Sequence, residues 1–459
     1  MKKLSLIFAL VFVASLAMAQ VTTQLDAPTI PLITKIVPLP FSANTVTTTQ
    51  KGDNNAAEVT QTGVNFATIS QISIAGATLG KANVATLSQD GSQNVANIDQ
   101  NRSGGEQGSP TITKGIQEGN KNYMNVIQDG HYQGGNTSTV TQIGITEDNA
   151  KGNQADVNHQ KGYGNNWVIY QEGDDNKAQQ ISTSDVVSGT TNIINQFGTS
   201  NNAMQKTAGG DAMYATINQG TDDSRVSGNI AAQIQGGLKS KASITQLTND
   251  NKAYQTQVNG SYKFDGVYAS QHDAEITQKG GNGNYALQYQ TELVADVWAN
   301  SRNTSVIMQD GGGNRAEVAQ LDGLNKGDIT QMGDDNRALI IQNGLSNTAE
   351  TQQLTDENTA NFYQNGNGNK VIAKQFGGDE NVANLTQNGG SKADIMQNGE
   401  ANILKGIGTD IMATSLNGST LDLDQFGGSG NTLSLQQSNG GIATVSQNGS
   451  TNTSVVIQN

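Results

Sequence analysis

The chain has 459 residues, of which 34% are hydrophobic, 5% aromatic and 14% charged. So few apolar side chains exclude a thick core of Leu, Phe and Trp, and so few charges exclude the highly charged class of disordered chain. The formal net charge of −14 disfavours nucleic acid and anionic membranes as direct partners, and the lack of cysteine excludes a disulfide framework.

Residues 1–19, MKKLSLIFALVFVASLAMA, have the pattern of a secretory signal peptide. Lys2 and Lys3 provide the positive start, an apolar run follows, and Ala17 and Ala19 frame a small-residue cleavage site. The apolar run is too short to cross a bilayer. We therefore predict a secreted protein, with a net charge of −16 once the two lysines are removed.

Residues 20–49 are predicted to form an extended leader. Four of the five prolines fall between Pro28 and Pro40. Proline cannot donate a hydrogen bond to a strand ladder and is kept out of sheet interiors. The remainder, 50–459, contains only Pro110 and is predicted to be one continuous repeat array.

The array repeats a unit that reads Q-x-G-x-x-N-x-A-x-V-x-Q, where V is any apolar residue. Between Gln309 and Gln375 glutamine returns every eleven residues, as in QDGGGNRAEVAQ (309–320). The same unit appears near the start, QKGDNNAAEVTQ (50–61), and near the end, QNGSTNTSVVIQ (447–458). A fixed period of this kind predicts a solenoid. The stretches 101–116 and 403–424 depart from the period, and the pattern leaves open whether they interrupt the rod or loop out.

The unit predicts one strand and one arc. Its Asn, Ala, apolar and closing Gln positions are two residues apart and therefore share one face of a strand. Eleven is odd, so the G-x-x-N segment must absorb one residue; Gly and Asn tolerate left-handed backbone angles there. Two units, about 22 residues, then complete one rung. The predicted fold is an all-β, amyloid-like β-solenoid of strand–arc–strand rungs, roughly 18 rungs and ~85 Å long at the spacing of β-strands.

Stacked rungs would place glutamine on glutamine and asparagine on asparagine. A buried amide is costly unless its donor and acceptor are both used, and in a stack each one can donate to one neighbour and accept from the other. The residues predicted to form these self-assembly ladders are Gln309, Gly311, Asn314, Ala316, Gln320, Gln331, Gly333, Asn336, Ala338, Gln342, Gly344, Asn347, Gln353, Gln364, Asn369, Gln375, Gln447, Gly449, Asn452 and Gln458.

This repeat resembles that of the curlin family, the secreted subunits of curli, which are functional amyloid fibres of bacterial biofilms. The resemblance covers nearly all of the predicted mature chain, although this chain has several times more repeats than a curlin and a proline-rich leader that curlins lack. It implies an amyloid-like β-solenoid and a leader that addresses an outer-membrane secretion pore. It also implies as partners that pore, a nucleator subunit, periplasmic chaperones and other copies of the chain.

The function we predict is a secreted structural subunit that self-assembles into extracellular curli-like fibres for the biofilm matrix and adhesion. The last unit, ending at Gln458, shows no charged or proline-bearing cap, so its edge would template the next molecule. Two alternatives stay open: a monomeric β-solenoid adhesin, and the minor subunit that nucleates fibres.

No motif in the chain indicates catalysis, and we predict no enzyme, cofactor, metal site or small-molecule substrate. Acidic pairs such as Asp334 and Asp335 lie in the arcs, where we expect them to hinder lateral association. The three histidines, His131, His159 and His272, lack metal-ligand spacing and are expected to be exposed.

Overall fold

The computed structural model describes residues 43–73, 83–103, 110–131, 135–144, 151–183, 187–259, 272–292 and 302–459. The predicted signal peptide, 1–19, and most of the predicted leader, 20–49, lie outside these residues. The first strand begins at Thr45, so stacked structure starts before Gln50.

All regular structure in the described residues is β-strand. The strands are β1 Thr45–Lys51, β2 Ala56–Thr62, β3 Phe66–Ile72, β4 Val84–Asp90, β5 Val95–Ser103, β6 Ile112–Glu118, β7 Tyr123–His131, β8 Thr137–Ile143, β9 Gln154–Gly162, β10 Asn166–Asp174, β11 Lys177–Ser182, β12 Val187–Ser188, β13 Thr191–Thr199, β14 Asn202–Asp211, β15 Tyr214–Gln219, β16 Val226–Ser227, β17 Ile230–Leu238, β18 Lys241–Gln246, β19 Lys252–Asn259, β20 Asp273–Gly280, β21 Tyr285–Glu292, β22 Thr304–Gly311, β23 Arg315–Leu321, β24 Lys326–Met332, β25 Arg337–Asn343, β26 Thr348–Gln353, β27 Thr359–Asn365, β28 Lys370–Phe376, β29 Val382–Asn388, β30 Lys392–Asn398, β31 Ile403–Lys405, β32 Ala413–Leu416, β33 Thr420–Phe426, β34 Thr432–Gln437, β35 Ile442–Asn448 and β36 Thr453–Gln458.

The strands alternate between two parallel sheets that face each other across a thin interior. The first sheet has 19 strands, from β1 through β3 and β5 to β36, and the second runs from β2 through β4 to β35. Every inter-strand pairing in the described chain is parallel, as in β23–β25 and β25–β27, where Gln320, Gln342 and Gln364 lie in register. The predicted β-solenoid is confirmed.

The rung length agrees with the prediction in one part of the rod. From Gln309 to Gln397 successive glutamines of the second sheet are 22 residues apart. Earlier rungs vary in length, from 21 residues between Gln50 and Gln71 to 33 between Gln255 and Gln288. In the first sheet β12 continues the level of β11, and β31 and β32 share one level, so its 19 strands make 17 levels, against about 18 predicted.

The interior is filled by small and branched side chains. Burial alternates along each strand, and Ala316 and Val318 of β23 are fully buried. Because facing side chains of this size fill the gap between the two sheets, the interior is thin, which agrees with the low aromatic content of the chain. Trp167 and Phe362 are the largest fully buried side chains among the described residues, so both belong to the core.

The irregular stretches do not end the stack. In 101–116, β5 continues to Ser103 and β6 begins at Ile112, and both strands keep their neighbours. In 403–424 the chain leaves the first sheet between β31 and β32, and residues 406–412 loop out. Both short strands pair with β29 below and β34 above, so the rod continues past the loop.

The arcs turn at glycine and at the residue before asparagine. Gly333 and Asp335 have φ values of 94° and 54°. Asn336 is not among the residues with positive φ. The prediction that asparagine supplies the left-handed conformation is therefore wrong, and the recurrence of asparagine at this position of the unit has another cause, which its hydrogen bonds show.

Candidate functional site: a polar spine along one edge

The glutamines that close the strands of the second sheet form one unbroken column. Each Nε2 donates to the Oε1 of the glutamine one level further along, at 2.6–3.0 Å. The column consists of Gln61, Gln89, Gln117, Gln142, Gln171, Gln196, Gln219, Gln246, Gln278, Gln309, Gln331, Gln353, Gln375, Gln397, Gln425 and Gln447.

From Gln89 to Gln447, each of these amides also ties the two sheets together by donating to a backbone carbonyl of the first sheet. Gln331 donates to Gln353 Oε1 at 2.9 Å and to the backbone carbonyl of Arg315, in the first sheet, at 3.0 Å. Its own Oε1 accepts from Gln309 at 2.9 Å. Gln331 is fully buried, so both amide hydrogens and its acceptor are used in place of water.

The asparagines of the following arc form a second unbroken column, with different chemistry. Each Oδ1 accepts the backbone N–H of the asparagine one level further along, at 2.8–3.3 Å. The column consists of Asn44, Asn65, Asn94, Asn122, Asn153, Asn176, Asn201, Asn229, Asn251, Asn284, Asn314, Asn336, Asn358, Asn381, Asn402, Asn431 and Asn452.

The side-chain nitrogen of these asparagines fastens the arcs. Asn314 Nδ2 donates to the carbonyl of Gly333 in the next arc at 2.8 Å, and Asn336 Nδ2 donates to Met332 in its own arc at 3.2 Å. The motif therefore needs asparagine as a short acceptor and donor that satisfies arc backbone groups. We call the two unbroken columns the polar spine.

The predicted ladder residues divide between the two edges of the rod. The spine contains Gln309, Gln331, Gln353, Gln375, Gln447, Asn314, Asn336 and Asn452, whereas the opposite edge contains Gln320, Gln342, Gln364, Gln458, Asn347 and Asn369. The predicted alanines, Ala316 and Ala338, lie in the interior between them. The four predicted glycines, Gly311, Gly333, Gly344 and Gly449, all have positive φ and lie where a strand ends and an arc begins.

The glutamine column at the opposite edge is interrupted. It runs from Gln50 to Gln128, and His159 then takes the next register position. It resumes from Gln235 to Gln387, meets Ser415, and ends with the pair Gln437 and Gln458. Ser182 and Thr207 stand in register below Gln235. Serine, threonine and histidine are thus tolerated at this edge, but no level of the spine departs from glutamine and asparagine.

A third column runs inside the first sheet and was not predicted. Gln180, Gln205, Gln233, Gln255 and Gln288 occupy the position that Val or Ile takes in other units, and they are bonded in series at 2.8–3.0 Å. Each also donates across the interior to a carbonyl of the second sheet. The signal in the sequence is the Q-x-Q spacing of QIQ (233–235), QTQ (255–257) and QYQ (288–290).

Carboxylates in the arcs beside the spine bind backbone groups. Asp334 Oδ1 accepts the N–H of Gly312 at 2.6 Å, and Asp356 and Asp379 repeat this contact one level further along each time, at 2.8 and 3.0 Å. These acids therefore hold neighbouring arcs together. Within the described ranges, no group of three or more His, Asp or Glu residues is arranged to hold a metal ion.

The outer face of the second sheet carries mixed charges. Lys326 Nζ lies 2.6 Å from Glu350 Oε1 and 2.9 Å from Asp328 Oδ2. Hydrogen bonds from Glu350 and Asp328 raise the pKa of Lys326. Exposed pairs of this kind add little stability, so the rod is held mainly by its interior and its columns.

The predicted exposure of His272 is also wrong, because this residue is fully buried. It occupies the arc position before β20 at the edge opposite the spine, where regular units have asparagine. His131 and His159 lie in β7 and β9, and their side chains are outside the described set. No helix in the described part of the chain has the length and apolarity needed to span a bilayer.

The comparison with protein families gives one match. Residues 325–354 match the family described as the curlin associated repeat, and these residues contain β24, β25 and β26. The match includes the spine residues Gln331, Asn336 and Gln353. No curated protein sequence matches the chain. The chain therefore carries a curlin repeat, within a stack whose other described levels share its polar spine.

Proposed function

We propose that this curlin-repeat protein is a secreted structural subunit that self-assembles end to end into extracellular curli-like amyloid fibres. In these fibres, which would serve the biofilm matrix and adhesion, each molecule continues the stack of the one before it. A secretion pore, a nucleator subunit and periplasmic chaperones are the partners that this role requires.

The observation that carries the proposal is the unbroken polar spine. Every level presents to the next level the same arrangement: a glutamine amide hydrogen, an asparagine oxygen, and parallel backbone groups. A further copy of the chain would continue these bonds with chemistry identical to that inside the molecule. A stack with this repeat can grow by adding strands at its edge, as parallel cross-β structures do.

The outermost levels leave the required groups unused among the described residues. β1 pairs only with β3, and β36 pairs only with β34. Thr45 donates to Asn65 and Lys51 accepts from Ser73, so the odd-numbered residues of β1 bond to β3. Because alternate residues of a parallel strand bond to opposite neighbours, Val46, Thr48 and Gln50 direct their backbone groups to the free edge.

The two free edges are complementary in polarity. In β36, Asn452 and Gln458 accept from β34, so the odd-numbered residues Thr453, Val455 and Ile457 face the other free edge. The side chains of Val455 and Ile457 are 61% and 54% exposed. Placing β36 of one molecule beside β1 of the next would pair both edges in the register found within the molecule.

Thr48→Pro tests this arrangement. Proline removes the N–H that points to the free edge but none of the bonds between β1 and β3, so folding is preserved. We expect the variant to match the parent in far-UV circular dichroism and thermal unfolding while the rate of fibre elongation from preformed seeds falls at least tenfold. Thr48→Ala, which keeps the N–H, is the matched control and is expected to elongate at the parent rate.

Concentration-dependent thioflavin T kinetics and electron microscopy of the mature protein supply the readout. Equal elongation by Thr48→Pro and Thr48→Ala would exclude β1 as a growth edge. A parent protein that stays monomeric at all concentrations tested would exclude the fibre function and favour a monomeric adhesin.

A further inference from the structure

His272 stands in a column of hydrogen-bond acceptors at the edge opposite the spine. The residues that precede β18, β20, β22 and β24 are Ser240, His272, Asn303 and Asn325. In the regular part of this column, Asn303 Oδ1 accepts the backbone N–H of Asn325 at 3.0 Å. His272 therefore occupies a position whose side chain must accept a backbone N–H from the next level.

The imidazole fills that role through Nδ1. The backbone N–H of Asn303 points to His272 Nδ1, with a separation of 3.4 Å. A ring nitrogen accepts a hydrogen bond only when it carries no proton, so this contact requires the neutral tautomer with its hydrogen on Nε2. Nε2 is buried and has no hydrogen-bond partner in the described residues, and neither has Ser240 Oγ one level below.

Little in the surroundings would stabilise a cation here. The charged residues adjacent in sequence to the column residues of these three levels are Lys241 on β18, Asp273 on β20 and Arg302, which precedes β22, and the charge of Asp273 acts on the imidazole. Asp273 is an ion-pair partner of Arg302, so its carboxylate is already engaged. Burial lowers the pKa of His272 to about 4, and the charge of Asp273 opposes that shift only in part.

We propose that His272 makes the stack acid-labile between β20 and β22. Protonation converts Nδ1 from an acceptor into a donor, sets it against the N–H of Asn303, and leaves a buried charge. The hydrogen bonds between β20 and β22 then open locally, because opening returns the imidazole to water. This property belongs to the folded chain itself and does not depend on fibre formation.

The direction of the pH dependence follows from linkage. The pKa is lower in the folded state than its ordinary value of 6.5, so the neutral form favours folding. That stability is complete above pH 6.5 and is lost as the pH falls from 6.5 towards 4. At pH 5 the local opening constant is expected to be about 30-fold larger than at pH 8, and few exposed carboxylates titrate above pH 5.

Hydrogen exchange measured by mass spectrometry on the full chain tests the proposal. After correction for the intrinsic pH dependence of exchange, amides of β20 and β22 should become about 30-fold less protected between pH 8 and pH 5. Amides of β26 and β28, whose column residues are Asn347 and Asn369, are the internal control and should change little. His272→Asn, which restores the regular residue, should remove the pH effect.

A second variant, which introduces acid sensitivity at another level, keeps the proposal testable if His272→Asn fails to fold. Asn325→His places an imidazole at a regular level and should transfer the same acid sensitivity to β24 and β26. The proposal is overturned if His272→Asn keeps the pH dependence of the parent at β20 and β22. It is equally overturned if Asn325→His folds at pH 8 but gains no sensitivity at pH 5.

Discussion

Removing one amide from the middle of the spine should weaken the rod locally and strongly. Gln353 is fully buried in β26 and makes three side-chain hydrogen bonds. It donates to Gln375 Oε1 at 3.0 Å and to the carbonyl of Arg337 at 2.9 Å, and it accepts from Gln331 at 2.9 Å. Gln353→Ala removes all three bonds and leaves a cavity.

The expected loss of stability follows from which polar groups lose their hydrogen-bond partners. Gln375 Oε1 loses its donor and one hydrogen of Gln331 Nε2 loses its acceptor, whereas the Arg337 carbonyl still faces β27 in the strand ladder. Leaving a buried polar group unsatisfied costs about 1–3 kcal/mol, so these two groups predict about 2–4 kcal/mol when each costs between the low end and the middle of that range. Gln353→Leu keeps most of the volume and should lose nearly as much, which separates the missing amide from the cavity.

The chain supplies its own control in the preceding residue. Gln352 is the same residue type, one position earlier in β26, and faces solvent. Hydrogen exchange of β26 and β28 should be faster by about 30- to 1,000-fold in Gln353→Ala, which corresponds to 2–4 kcal/mol, and unchanged in Gln352→Ala. Equal protection in the two variants would refute the view that the amide column holds neighbouring levels together.

Three further substitutions test other parts of the structure. Gln233→Leu should lower the free energy of unfolding by about 2 kcal/mol in urea titrations, because it leaves a neighbouring glutamine of the inner column without its hydrogen-bond partner. Replacing all five glutamines of that column by Leu should recover most of this stability, and a five-fold variant as unstable as the single one would contradict the reasoning. Gly311→Ala should lower the free energy of unfolding by more than about 3 kcal/mol, because its Cβ would lie 2.0 Å from the Gly333 carbonyl oxygen. Gly418 has a φ of +78° but no atom within 4 Å of the position that a Cβ would take, so Gly418→Ala should cost only about 1 kcal/mol. Similar changes in the unfolding temperatures of the two variants would argue against close stacking of the arcs. Asp356→Asn should keep the acceptor for the Asp334 N–H and change the free energy of unfolding by under about 0.5 kcal/mol, whereas Asp356→Ala should lower it by about 1 kcal/mol. A large loss of stability in Asp356→Asn would show that the charge matters more than the hydrogen bond.

The repeat alone predicts most of this architecture because its periodicities are local. Spacing by two from Asn314 to Gln320 defines the buried face, and the odd length of eleven requires an arc in each unit. The stacking of Gln309 on Gln331 then follows from the return of the chain after two units. These inferences need no knowledge of distant contacts, which is why the fold class is correct.

The features that the sequence did not reveal depend on which levels become neighbours. Insertions displace the register, so the partner of Gln255 is Gln288, 33 residues away, and the inner column escapes a search at a fixed period. The burial of His272 is hidden for the same reason, since only the stacked structure shows that it replaces a column asparagine. The role of asparagine differs from the prediction because tolerance of left-handed angles is a general property of this residue type. Its role here, accepting a backbone N–H from the neighbouring level, depends on the stacked structure.

X-ray diffraction from aligned fibres of the mature protein tests the central claim most directly. If molecules continue one another's stack, the spacing of about 4.8 Å between levels must lie on the meridian, parallel to the fibre axis. A reflection of the same spacing on the equator would mean that the rods lie side by side across the fibre. That result would contradict end-to-end growth through the polar spine.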